Sequence, residues 1–258
     1  MQRFRTYAAI AALLALTSSG QSVAAPADPN VAVETIATAV QKARAEETAQ
    51  VAIRGQLDGG LITLEGGLIL RTAEADFNMV IKGSGLLGHG GFFTGDLRAI
   101  DGQVYLQMPA MRITEGGRAW NHVSFTGASG HTSPLSSVTV GTLALDRLRM
   151  CSDPAAVGYD QIRGMKTTHY EAGVLEPDTG GSVAMRRMTP IDAWISNDGR
   201  LVRVAVHRTL PDGVALPAGM SRESRVVVDF LDWGVPVEVE HPPADEVQEL
   251  NALTGATA

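Results

Sequence analysis

Apolar residues recur at helical spacing near the start of the chain and at alternate positions over most of the remainder. Val33, Ile36, Ala37, Val40 and Ala43 fall on one stripe, with Glu34, Gln41, Lys42 and Arg44 between them. That spacing predicts a helix over about 30–47. Asp28-Pro29 suits its start, the acid as cap and the proline in the first turn. The period then changes to two. Strands are predicted at 51–55, 61–70, 75–82, 91–100, 103–108 and 118–125. Phe77, Met79 and Ile81 take one face of the third, and Val104, Leu106 and Met108 one face of the fifth. Asp58-Gly59-Gly60 and Asp101-Gly102 are tight-turn sequences between them. Short turns between consecutive strands imply an antiparallel meander.

A Gly/Ser/Thr-rich loop, Thr126 to Pro134, interrupts this run. Leu135, Val138, Thr142, Leu145 and Leu148 then predict a second helix, ended by Asp153-Pro154. Strand periodicity returns at 161–173, 188–196 and 200–209, the last two joined by Asn197-Asp198-Gly199, then at 222–233 and 235–240. Pro242-Pro243 stops it, and 244–253 reads as a short terminal helix. No repeat and no low-complexity linker divides the chain, so 28–258 is expected to be one α+β, mainly β, domain: a long antiparallel sheet with a few helices.

The first 27 residues stand apart. Arg3 and Arg5 precede an apolar stretch from Tyr7 to Leu16, and small residues lead to Ala25-Pro26-Ala27. This is the layout of a secretory signal peptide, with cleavage expected after Ala27, leaving Asp28 as the first mature residue, or alternatively after Ala25. The apolar run of about ten residues is too short for a membrane span, which needs roughly 20. Leu16-Thr17-Ser18-Ser19 reads either as a lipidation-like site with Ser19 at the cysteine position or as a chance run of small residues; on both readings no thiol is present, so release is expected in place of lipid anchoring.

The leader carries two of the 21 basic residues and none of the 28 acidic ones, which leaves the mature chain at −9. An acidic chain without a basic run is a poor partner for nucleic acid or anionic lipid headgroups. Cys151 is the single cysteine, so no internal disulfide can form and stability must come from burial.

Catalytic motifs are missing from the sequence. Gly83-Ser84-Gly85-Leu86-Leu87-Gly88 spells a dinucleotide fingerprint, but His89-Gly90-Gly91 follows where a helix must start. The six histidines (His89, His122, His131, His169, His207 and His241) make no H-E-x-x-H and no i, i+4 pair. Metal-site spacings are therefore absent. There is no G-x-S-x-G elbow, and Ser129 beside His131 is only a sequence adjacency. Asp58, Asp101, Asp198 and Asp212 each precede glycine, where turns place them. What remains is apolar surface: Phe77, Met79, Ile81, Val104, Leu106, Met108, Val226, Val228 and Phe230 alternate onto one face. A filled core and a ligand-lined wall share that pattern.

Several segments together resemble a known family. Val104-Tyr105-Leu106-Gln107-Met108-Pro109 followed by Arg118-Ala119-Trp120 is similar to a strand pair of LppX/LprG-type envelope lipoproteins of actinobacteria, relatives of the lipoprotein carrier LolA. Gly164-Met165-Lys166-Thr167-Thr168-His169-Tyr170 resembles the G-x-x-T-T-H-Y strand of that group. Ile191-Asp192-Ala193-Trp194-Ile195-Ser196-Asn197-Asp198-Gly199 resembles its tryptophan-bearing hairpin. Asp229-Phe230-Leu231-Asp232-Trp233-Gly234-Val235-Pro236-Val237 and Pro242-Pro243-Ala244-Asp245-Glu246-Val247 resemble its closing strand and tail. The likeness covers most of 31–250. It implies a strongly curved antiparallel sheet forming a half-open barrel, with a few helices over the concave face and a hydrophobic guest between them. The chain departs from that pattern in lacking the lipidation cysteine and in a Gly-rich stretch (Gly173, Gly180, Gly181) where relatives often carry a helix.

The expected function is a secreted, non-enzymatic carrier of a lipid or acyl-chain ligand in the cell envelope, without catalytic residues, metal or cofactor. The residues expected to bind that ligand are Phe77, Met79, Ile81, Val104, Leu106, Met108, Val138, Leu145, Leu148 and Phe230. The alternative is an envelope sensor that recognises a protein or lipoprotein partner, with its interior filled by its own side chains. A hydrolase using Ser129 and His131 is a third reading, for which no activity is expected.

Overall fold

Two hairpins show how local sequence sets the register of the sheet. Asp101 and Gly102 have φ of +52° and +74°, and Arg163 and Gly164 have +51° and +83°. Positive φ at both central residues is the turn whose twist matches that of paired strands. The first hairpin pairs Ile100 with Gln103, and the second pairs Ile162 with Met165. The Asn197-Asp198-Gly199 turn closes through the Gly199 N–H on the Ser196 carbonyl at 2.8 Å, with Gly199 at φ +76°.

The computed structural model describes residues 29–57, 60–70, 76–84, 92–109, 119–123, 140–177, 186–209 and 223–250. In chain order the elements are α1 (Pro29–Ala45), β1 (Thr48–Leu57), β2 (Gly60–Ile69), β3 (Asp76–Ser84), β4 (Phe92–Ile100), β5 (Gln103–Gln107), β6 (Trp120–Val123) and α2 (Val140–Arg149). Then follow β7 (Cys151–Ile162), β8 (Met165–Pro177), β9 (Arg186–Ser196), β10 (Leu201–Thr209), β11 (Glu223–Trp233) and β12 (Val247–Leu250).

All twelve strands form one curved open sheet, in the order β12-β6-β5-β4-β3-β2-β1-β11-β10-β9-β8-β7. The chain enters at the middle with β1 and walks outward to β6. It resumes at the far edge with β7 and walks back to β11, which pairs with β1. Every pairing is antiparallel except β12 with β6. Both helices lie on one face: α1 packs on β7, β9, β10 and α2, and α2 packs on β9, β10 and β11. An Arg44–Asp146 ion pair ties the helices together, and the Lys42 ammonium donates to the Asp198 carbonyl at 2.8 Å.

The meander and the helix-covered curved sheet agree with the sequence; four details do not. The buried stripe of α1 is Ala32, Ile36, Ala39, Val40 and Ala43, whereas Val33 is 52% exposed and Ala37 faces solvent. The small alanines let the helix approach closely. Asp153-Pro154 does not end a helical region but lies inside β7, which the sequence reading missed. Proline removes a ladder donor and is tolerated on edge strands. Here Asp153 takes φ +51° and the register slips between Ser152 and Ala155, so the proline sits in a bulge of the edge strand.

The predicted strand at 235–240 is extended chain with no strand partner, and the predicted terminal helix is a single 3-10 turn, Ala244–Glu246, leading into β12. Tertiary contact decides both. Residues 234–243 strap the convex face, leaving the end of β11 through Gly234 (φ +69°), whose N–H donates to the Thr48 carbonyl at 2.9 Å. The Thr48 hydroxyl donates to the Val235 carbonyl at 2.8 Å, and Arg98 donates to the Glu240 carbonyl at 3.0 Å. The strap delivers β12 to the open side of β6 in parallel sense. No described helix is long and apolar enough to cross a membrane.

Candidate functional site

The concave face is an apolar wall built by register. One row crosses eight strands, from β3 to β7: Ile81, Leu64, Ile53, Val228, Val204, Ala193, Tyr170 and Ala156, each paired with the next. The adjacent row runs Leu106, Leu97, Met79, Gly66, Val51 and Phe230. Alternation along a pleated strand puts both rows on the same face. The glycines are required by close approach: a Cβ on Gly66 would stand 2.1 Å from the Asn78 carbonyl oxygen, and one on Gly95 2.7 Å from Met108 Cγ. These are sites where adjoining chain fills the space that a side chain would take.

Nine of the ten residues expected to bind ligand join one contiguous apolar cluster. Phe77, Met79, Ile81, Val104, Leu106, Met108 and Phe230 come from the sheet, and Leu145 and Leu148 from α2, all at most 6% exposed. Val138 lies outside the described residues, as do Ser129, His131, His89, Asp58, Asp212, the leader and the Gly85–Gly88 part of the glycine motif. Gly83 and Ser84 end β3, opposite Phe93 and Phe92, so that motif begins in a hairpin strand. Leu64, Leu68, Leu97 and Val51, not among the expected ligand residues, belong to the same wall. Their alternation was legible, but the register that aligns them across strands was not.

The two helices divide this face. Their packing falls on β7 and β9–β11, next to Ile191, Ala193, Val204 and Val228. The wall over β2–β5 carries large side chains, among them Phe77, Met79 and Leu97. A shallow surface notch at the end of α1, between Lys42, Glu46, Arg200 and Trp233, encloses no room for a water molecule. Cys151 is half-buried against the cluster, and burial pushes its thiol above the ordinary range.

Polar chemistry lies on the opposite, convex face. Arg203 holds the buried Asp229 at 2.6 Å, and Arg54 bonds the same carboxylate. Asp192 meets His207 Nε2 at 2.8 Å and Arg225 at 3.3 Å through Oδ2. Burial raises the Asp192 pKa, but His169 and His207 more than offset this and leave it below the usual carboxylate range. His169 Nε2 stands 3.6 Å from Oδ1, beyond hydrogen-bond distance.

A curved open sheet carrying helices on its concave side has the architecture of a half-open barrel. No protein-family model and no curated protein matches the chain. Among solved structures it shares the fold of LprF from Mycobacterium bovis, at 15% identity over 85% of this chain and 99% of that one, with a TM-score of 0.51. Also similar are the lipoprotein LppX of Mycobacterium tuberculosis (17% identity, 83% and 100% covered, TM-score 0.49) and a LolA superfamily protein of Nitrosomonas europaea (13%, 83% and 96%, TM-score 0.26). The fold assignment rests on LprF, and it agrees with the resemblance carried by the sequence motifs.

Proposed function

We propose that the chain is an exported, non-enzymatic carrier of a hydrophobic ligand in the cell envelope, the ligand being a lipid or another molecule with acyl chains. One observation carries the reading: the apolar wall continues across β3 to β7, while the described helices pack mainly against β7 and β9–β11. The remaining wall, Phe77, Met79, Ile81, Val104, Leu106 and Met108, is where an acyl chain would lie, with Leu145, Leu148 and Phe230 at the helix-covered border. Met79 and Met108 suit such a wall because an unbranched thioether adapts to irregular guests. A dozen buried methylenes would gain on the order of ten kcal/mol gross, less the cost of association. Such binding needs no directed polar group. Residues 1–27 would direct export of 28–258 as a single domain, and the serine in place of a lipidation cysteine favours release over anchoring.

The nine candidate ligand residues are at most 6% exposed, which favours a second reading in which the interior is filled by the protein itself and the molecule senses an envelope protein. Met79→Trp separates the two. Beside a ligand space the larger ring occupies the guest's position, so binding of a fluorescent fatty acid is lost while thermal stability holds. In a filled core the same change overpacks and destabilises by about 1–3 kcal/mol. Loss of stability together with no fatty-acid binding by the unaltered protein would end the carrier reading.

A further inference from the structure

We propose that the convex face holds a divalent metal site, with Zn²⁺ the fitting ion, ligated by His169, Glu171 and Asp192. The site is independent of the apolar wall on the other side of the sheet. The three donor residues belong to neighbouring strands, and their ligand atoms all lie within 4.8 Å of one another. Glu171 on β8 is directly opposite Asp192 on β9. Two carboxylates facing each other across an antiparallel pair repel, and a cation between them removes that cost.

His169 supplies the second observation. Its Nε2 is buried without a hydrogen-bond partner and stands 3.6 Å from Asp192 Oδ1. Two ligands of a tetrahedral Zn²⁺ are about 3.3 Å apart, given metal–ligand distances near 2.0–2.1 Å. The pair is therefore close to ligating distance before any adjustment. Asp192 is 8% exposed, and its other oxygen is already engaged by His207 at 2.8 Å and Arg225 at 3.3 Å, which aims Oδ1 at the imidazole. The His169 ring is fixed by stacking on Trp194, at 4.3 Å between centroids and 10° between planes. Trp194 is in turn held by Asp160 at 2.7 Å. Oriented donors braced by outer partners are what a metal site needs. One imidazole and two carboxylates suit Zn²⁺ and leave a fourth position for water.

The test is calorimetric titration of ZnCl₂ into untagged, chelator-stripped protein. One ion per chain is expected, with affinity reduced more than about tenfold in Glu171→Gln and in His169→Gln. Glu171 is exposed, so its variant folds. Glu249→Gln, which alters the separate His122–Glu249 pair, should leave uptake unchanged. Co²⁺ in the site would quench Trp194 fluorescence, and Glu171→Gln would abolish the quench. Absence of uptake, or uptake and quenching that survive in Glu171→Gln, overturns the proposal.

Discussion

Val237 occupies the space that a side chain on Gly67 would need: a Cβ there would stand 2.6 Å from Val237 Cγ1. The strap between β11 and β12 thus lies directly on β2, and glycine is what admits it. Gly67→Ala should destabilise the protein by about 1–3 kcal/mol through overpacking. Adding Val237→Ala should recover part of that loss, since residues in contact are coupled. Urea titration of the two single variants and the double variant measures this. Strict additivity would mean that the strap does not bear on Gly67.

The helical stripe gives a second contrast. Ile36 is 2% exposed and Val33 is 52% exposed. Ile36→Ala should cost about 2–5 kcal/mol, and Val33→Ala should stay within about 0.5 kcal/mol. Denaturant midpoints at equal m-value decide it. Equal costs would place the wrong face of α1 on the sheet.

Acid stability should report on Asp192. Its carboxyl titrates below the ordinary range in the folded protein, with His169, His207 and Arg225 facing it and Glu171 opposite. A depressed folded pKa contributes stability that is complete above the unfolded value, about 3.9. That contribution is lost as pH falls through the folded value. The unaltered protein should therefore weaken steeply below about pH 4, and Asp192→Asn should be less stable at neutral pH but flatter on the acid side. Parallel acid limbs in thermal melts from neutral to acid pH would contradict the assignment.

Cys151 should behave as an inert thiol. Burial raises its pKa, and the thiolate is the reactive form. Iodoacetamide at neutral pH should label the native protein far more slowly than the urea-unfolded protein, read by intact mass. Equal rates would show an accessible, activated cysteine.

Much of this architecture is legible along the chain because it is local. Asp101-Gly102 and Asn197-Asp198-Gly199 declare their hairpins, and the alternation of Phe77, Met79 and Ile81 declares a buried face. Features that depend on distant partners are not legible. Nothing near Val235–Glu240 shows that these residues will lie across β2 to β4 and form no ladder. A four-residue strand at 247–250 looks helical until β6 offers it an edge. Asp153-Pro154 reads as a stop because sequence does not tell an edge strand, where a bulged proline is tolerated, from a central one. The His169–Glu171–Asp192 group escapes motif searches for the same reason. Its donors meet through the register of β8 on β9, at spacings no helical metal motif uses.

Native mass spectrometry of the protein, purified from its own cell envelope without detergent, bears most directly on the carrier reading. The account predicts a population heavier than the polypeptide by the mass of an acyl-chain molecule, released by organic solvent and depleted in Met79→Trp. A bare polypeptide mass in repeated native preparations, with no lipid in the extract, would contradict it.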